Sequence, residues 1–183
     1  AAAQGPVDLG PGHVVDQAGV LSGTQKAEVA AAAKKLYDEH RIDLYVVYVD
    51  RFTDPVDAAD WANDTAARNG LGQRDYLLAV STDGRTYYLS GDDEGPVGPD
   101  QLDSIERNGI EPKLHSDDWA GAGVAAATGL GDAAGGGGGA WFFWLLLGGV
   151  IVAGLVVFFV VRSRNSRKKQ AAAGPTTPQS ELQ

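Results

Sequence analysis

The sequence predicts an α/β domain, with a small mixed sheet of about four strands and helices packed on it, followed by one transmembrane helix. Three observations carry this. Short β-branched and aromatic runs alternate with Ala-rich helical stretches over residues 13–130. Two of the runs flank an Asp-Gly turn and are therefore antiparallel neighbours. Residues 140–161, AWFFWLLLGGVIVAGLVVFFVV, contain neither a charge nor a proline.

The elements follow in order. Val14 and Val15 open a short strand. Ser22 is placed to cap a helix over 24–40. Val29, Ala33, Leu36 and Tyr37 share one face of that helix. Residues 42–50, IDLYVVYVD, read as a largely buried strand. A second helix is expected over 55–69, opened by Pro55 and stopped by Gly70. Strands at 76–81 and 85–90 flank Thr82-Asp83-Gly84-Arg85. Two further helices, 99–110 and 117–128, start near Pro99 and Ser116. Trp61 and Trp119 fall on amphipathic helices and are expected to pack in the core. The chain has no internal repeat.

Charge is unevenly spread. The net charge is −9 over 183 residues. Residues 1–140 hold 23 acidic and 10 basic side chains, a balance of −13. Residues 162–183 hold five basic and one acidic, a balance of +4. An acidic folded portion does not suit nucleic acid, which needs a basic footprint. With no cysteine, disulfides, thiolate ligands and a Cys nucleophile are excluded together.

The 22 apolar residues would span about 33 Å, close to a bilayer's hydrocarbon core. Trp141 and Trp144 mark one boundary. Arg162, Arg164, Arg167, Lys168 and Lys169 mark the other, which places that end in the cytoplasm. The domain is then expected outside the plasma membrane. The Ala-rich start, residues 1–12, reads as an extension left after signal removal. Residues 131–139 read as a Gly-rich spacer and 162–183 as a basic, then disordered, tail.

Asp92, Asp93 and Glu94 stand in a row between Gly91 and Gly95. If paired positions of the hairpin sum to roughly 165, Asp75 faces Ser90 at its open end. Asp75, Asp92, Asp93 and Glu94 then gather, and the two glycines would let backbone carbonyls turn inward. Such a group suits a hard cation such as Ca2+, which takes six to eight oxygens. A solvated turn and a catalytic carboxylate cluster are the alternatives. Asp54, Asp57, Asp60 and Asp64 form a helical stripe, read as a solvated face. No nucleotide, zinc-hydrolase or nucleophile-elbow motif is present. His13, His40 and His115 are far apart in sequence and read as surface residues. No catalytic residue and no organic cofactor is assigned.

In this order, VVDQAGVLS (14–22), LYVVYVD (44–50), NGLGQRDYLLAV (69–80) and HSDDWAGAG (115–123) resemble the TPM domain family. They are similar to its V-x-D-x-A-G-x-L-S entry, its W-G-I-G stretch and its closing D-[WY]-x-x-G helix. The resemblance covers about residues 13–130 and implies an α/β/α sandwich on the outer side of a membrane. It also implies a weak calcium-type site, a protein partner in the membrane or envelope, or an acid phosphatase acting on phosphomonoesters. Two motifs depart from the pattern. Asp75-Tyr76-Leu77 stands where many members have Asp-Asn-Gly, and SGDDEGPVG replaces Gly-Tyr-Gly-x-Glu. This looks like a membrane-anchored, actinobacterial branch. Only Arg74 and Arg85 are cations near the acidic stretch, and Arg85 is expected at the hairpin's other end.

Overall fold

A computed structural model describes residues 2–136. The expected membrane span and tail, and spacer residues 137–139, lie outside the described residues. Among the described residues no helix is long and apolar enough to cross a membrane.

Twelve segments follow in order. They are β1 (Ala3–Gln4), β2 (Val14–Asp16), α1 (Gly23–His40), β3 (Asp43–Val49), β4 (Arg51–Phe52), α2 (Ala58–Arg68), β5 (Asp75–Ser81), β6 (Thr86–Ser90), α3 (Pro99–Ile105), a π-helical turn (Glu106–Ile110), α4 (Glu111–His115) and α5 (Trp119–Ala134). The main sheet runs β2-β3-β5-β6, parallel except for the antiparallel β5–β6 hairpin. Both central strands are buried on two faces, hence their almost continuous apolar runs.

Alternation assigns the faces. Leu44, Val46, Tyr48, Tyr76, Leu78, Val80 and Leu89 pack with Val29, Ala33 and Leu36 of α1, Leu102 and Ile105 of α3, and the alanines of α5. Val47, Val49, Leu77 and Ala79 pack instead with Trp61 and Ala62 of α2, Phe52 and Leu9. The result is an α/β/α sandwich, with α1, α3 and α5 on one face and α2 on the other. The two parallel crossovers, through α1 and through α2, step the same way along the sheet but pass over opposite faces. They therefore have opposite hands, and one is of the rare left-handed kind.

Several boundaries differ from expectation, each for a local reason. Ser22 does cap α1, within a capping box completed by Gln25. The second helix starts later than Pro55. Asp57 caps it by accepting the N–H groups of Ala59 and Asp60, while Pro55 lies outside on a cis bond. Of the acidic stripe, Asp57 is thus a cap. The third helix does not stop at 110. It widens into a π-turn ahead of Pro112, which has no N–H for the α-ladder, and continues as α4. The last helix is capped by Asp118 and runs to Ala134, four residues into the expected spacer.

The N-terminal extension is part of the fold. β1 pairs in parallel with β4, and Leu9 is buried. Trp61 Nε1 donates to the Gln4 carbonyl, and Asn69 binds both the Val7 carbonyl and the Leu9 N–H. Residues 3–9 cover the α2 side that a single helix leaves open. Trp61 is completely buried and stacks on Phe52, as core packing requires. Trp119 is partly buried against the other core.

Candidate functional site

The hairpin loop, Thr82–Arg85, is centred on Asp83-Gly84 rather than on Thr82-Asp83, so paired positions sum to 167 and the register moves by two. Leu77 rather than Asp75 faces Ser90. An even shift keeps every side chain on its expected face. Asp75 still leaves the same open end as the 92–94 loop, just beyond the last paired residues.

Two turns meet at that end. In the first, Asp75 Oδ2 accepts the Gly72 N–H at 2.8 Å, and the Gly72 carbonyl accepts the Asp75 N–H. In the second, Asp92 Oδ1 accepts the Glu94 N–H at 2.8 Å, and the Asp92 carbonyl accepts that of Gly95. Gln73 Nε2 donates to Glu94 Oε2 at 3.1 Å and ties the turns together. The second turn is anchored from below. The Tyr76 hydroxyl donates to the Val97 carbonyl at 3.1 Å and accepts its N–H at 2.9 Å.

This anchor revises the part played by the glycines. Neither Gly91 nor Gly95 has a positive φ. A Cβ at Gly91 would stand 2.4 Å from the Tyr76 ring, and one at Gly95 would stand 2.5 Å from the Gln73 carbonyl. They are glycines because the loop lies directly on Tyr76 and on the first turn, not to turn carbonyls inward.

Asp75 and Tyr76 are consecutive strand residues, so their side chains leave opposite faces of the sheet. The acidic partner that the sheet gives Asp75 is therefore Asp43, its register neighbour at the start of β3. Asp43 Oδ1 lies 2.9 Å from His13 Nε2, and the His13 ring stacks on Tyr45 at 4.9 Å. Burial raises the Tyr45 phenol's pKa above its ordinary value, and the carboxylates of Asp43 and Asp75 raise it further. The Tyr76 phenol is raised first by burial, then by Asp92, with its bond to Val97 and the Arg74 charge acting the other way.

The end of the sheet thus carries Asp43, Asp75, Asp92, Asp93 and Glu94, the last three exposed. Among the described residues no three His, Asp or Glu side chains are grouped closely enough to hold a metal as they stand. The donor chemistry fits a hard cation. Arg74 does not face these carboxylates as a free cation, because its guanidinium donates to the carbonyls of Arg41 and His40 at the C-terminal end of α1. Arg85 is at the opposite end, paired with Asp117.

Asp43 and His13 were not singled out by sequence reasoning. The available signal was that β3 and β5 both begin on an aspartate, which parallel pairing sets side by side. His115 pairs with Glu111 on α4, away from this end, whereas His40 closes α1 beside it, its carbonyl accepting from Arg74.

The entry motif also has a structural explanation. Asp16, with a side chain shut off from solvent, accepts the N–H groups of Gly19, Val20 and Leu21 at 2.8, 3.2 and 2.9 Å. Gly19 takes the positive φ (68°) that this loop requires, and Ser22 then caps α1. In the closing motif, Asp118 caps α5 and the Trp119 carbonyl accepts the Tyr48 hydroxyl. Gly123 lets α5 approach Val29, where a Cβ would come within 2.8 Å.

Comparison with known proteins agrees with these motifs. The TPM domain model matches residues 14–133. UPF0603 protein Rv2345 of Mycobacterium tuberculosis is 44% identical over 131 residues, which are 71% of this chain and 20% of that protein. The chain therefore spans about a fifth of the length of this relative. The solution structure of the N-terminal domain of cg2496 from Corynebacterium glutamicum superposes with a TM-score of 0.60 at 24% identity, over 68% of this chain and 81% of that one. An N-terminal domain from P. gingivalis gives 0.57 at 21% identity, over 66% and 80%. At these identities the two structures establish the shared fold. The chain belongs to the TPM domain family.

Proposed function

We propose that this TPM domain is a membrane-anchored, extracytoplasmic module. In this reading it binds a divalent cation of the calcium type weakly at the open end of the β5–β6 hairpin, and there meets a protein partner of the envelope. The observation that carries the proposal is the pairing of like charges. Asp43 and Asp75 are register neighbours, and the 92–94 loop is tied to the Asp75 turn through Gln73 and Glu94. Like charges placed opposite one another in a sheet oppose folding, and a bound cation relieves them. The membrane tether is supported by the apolar run 140–161 and the basic cluster after it.

A cation that binds only the folded state raises its stability as its concentration rises. Calcium at millimolar levels should therefore raise the Tm of the chain and shift the Gly72, Glu94 and Gly95 amide resonances saturably. Asp75→Asn combined with Asp92→Asn should abolish both effects. A Tm that calcium leaves unmoved, with unshifted amides, would remove the cation from the proposal. Turnover of a phosphomonoester by the same sample, lost in the double variant, would favour the phosphatase reading instead. No described residue at this end supplies a free cationic clamp for that reaction.

A further inference from the structure

A second site lies at the other end of the same hairpin. A half-open cavity of about 140 Å³ is lined by Val80, Ser81, Tyr87, Leu114 and Trp119, with Arg85, Thr86, Glu111 and His115 also contributing. Its volume is close to the roughly 150 Å³ of an engineered apolar cavity that accepts benzene. It is thus of a size for one six-membered ring.

Its lining is unusual in two respects. First, two ring-borne donors are unbonded. Neither the Tyr87 hydroxyl nor Trp119 Nε1 bonds another described residue, while Ser81 Oγ donates to the Asp50 carbonyl and Glu111 Oε1 lies 3.3 Å from His115 Nε2. The Tyr87 phenol is pushed up to about 12, chiefly by burial and then by Glu111 and Glu106, so it remains a donor at neutral pH. Second, Arg85 and Asp117 both have left-handed backbones, φ 54° and 56°, and form an ion pair with each other at 2.9 Å. Both side chains are more than half exposed, and an exposed pair contributes little. The pair therefore does not account for two strained non-glycine residues in contact. Strain of this kind persists where the surroundings over-determine it, as at ligand clamps.

We propose that this cavity binds a small monocyclic aromatic carboxylate, the ring seated among Leu114, Trp119 and Tyr87 and the carboxylate replacing that of Asp117 on Arg85. Asp117 already shows that the Arg85 guanidinium accepts a carboxylate at this position. The site is independent of the acidic end and stands whether or not a cation binds there.

Benzoate is the probe, added to the full chain in mild detergent. The readout is the Trp119 indole N–H resonance, identified by its loss in Trp119→Phe. Saturable shifts of that resonance are expected. Benzyl alcohol, the same ring without the charge, should bind about tenfold more weakly, and so should benzoate to Arg85→Gln, because each lacks one half of a charge-assisted pair. Arg85→Gly should lose benzoate binding yet keep or raise the Tm, since glycine suits the positive φ; this separates lost binding from lost folding. Shifts that do not saturate, or that are equal for benzyl alcohol, or that survive in both Arg85 variants, would overturn the proposal. A peptide ending in phenylalanine that bound more than about tenfold tighter than benzoate would also overturn it, and would assign the cavity to a protein chain terminus.

Discussion

The entry loop at 16–22 and the acidic end at 72–75 and 92–95 use the same device, a carboxylate accepting backbone N–H groups, with different results. Asp16 accepts three such groups with its side chain fully buried. Asp75 and Asp92 accept one each in more open turns. A carboxylate that has spent its acceptor sites on a buried loop holds the fold together. One that has spent a single site in solvent keeps oxygens free for something else. Both stretches place an aspartate within three residues of a glycine, and burial separates the scaffold from the candidate site.

The largest expected effect tests that contrast directly. Asp16→Ala leaves three loop N–H groups without their acceptor and is expected to cost about 3–5 kcal/mol of stability in urea unfolding. Asp92→Ala, in solvent, is expected to change it by less than about 0.5 kcal/mol. Comparable losses from the two substitutions would mean that the acidic loop is also scaffold, and would weaken its assignment as a site.

A smaller effect of opposite sign is expected at Asp75. Asn keeps an acceptor for the Gly72 N–H while removing one of two like charges paired across β3 and β5. Asp75→Asn is therefore expected to stabilise the calcium-free protein by about 0.2–1 kcal/mol, with the gain shrinking as salt is added. A loss of stability on this substitution would show that His13 already neutralises Asp43 well enough for the pair to be harmless.

What the sequence could disclose follows the same division between local and non-local causes. Ser22, and Gly70 after the second helix, act within a few residues and were readable. So was the Asp-Gly loop of the hairpin, although its centre was not. Thr82–Arg85 closes around Asp83-Gly84 because the N–H groups of Thr82, Asp83 and Gly84 bind the carbonyls of Val49 and Asp50 on the neighbouring strand, which a turn motif does not reveal. Asp57 displaced Pro55 as the start of α2 because a side-chain cap satisfies two N–H groups, which a proline cannot do. The docking of residues 3–9 across α2 and the pairing of Asp43 with Asp75 depend on strand order, and the opposite-handed crossovers run against the usual rule. The candidate site was therefore half legible: the 92–94 acids and Asp75 were, and Asp43 with His13 was not.

Glu106 lies between the two extremes of burial, and its effect depends on pH. It opens the π-turn, is half-buried, and accepts the Leu89 N–H of edge strand β6 at 2.7 Å. Burial raises its pKa above the ordinary 4.5, assisted by Asp103 and Glu111 and opposed by the Leu89 N–H and Arg107. The sign follows from proton counting. A carboxyl whose folded pKa exceeds its unfolded one holds its proton more tightly when folded. Its contribution is complete below the unfolded pKa and is lost as pH rises through the folded one. Ionised Glu106 is thus a mild burden at neutral pH. Glu106→Gln keeps an acceptor for Leu89 without the charge, and is expected to stabilise the protein at about pH 7 by less than about 1 kcal/mol, with the advantage gone near pH 4. Thermal melts of both proteins across that range decide it. A variant less stable than the parent at pH 7 would place Glu106 with Asp16, as a carboxylate the fold needs charged.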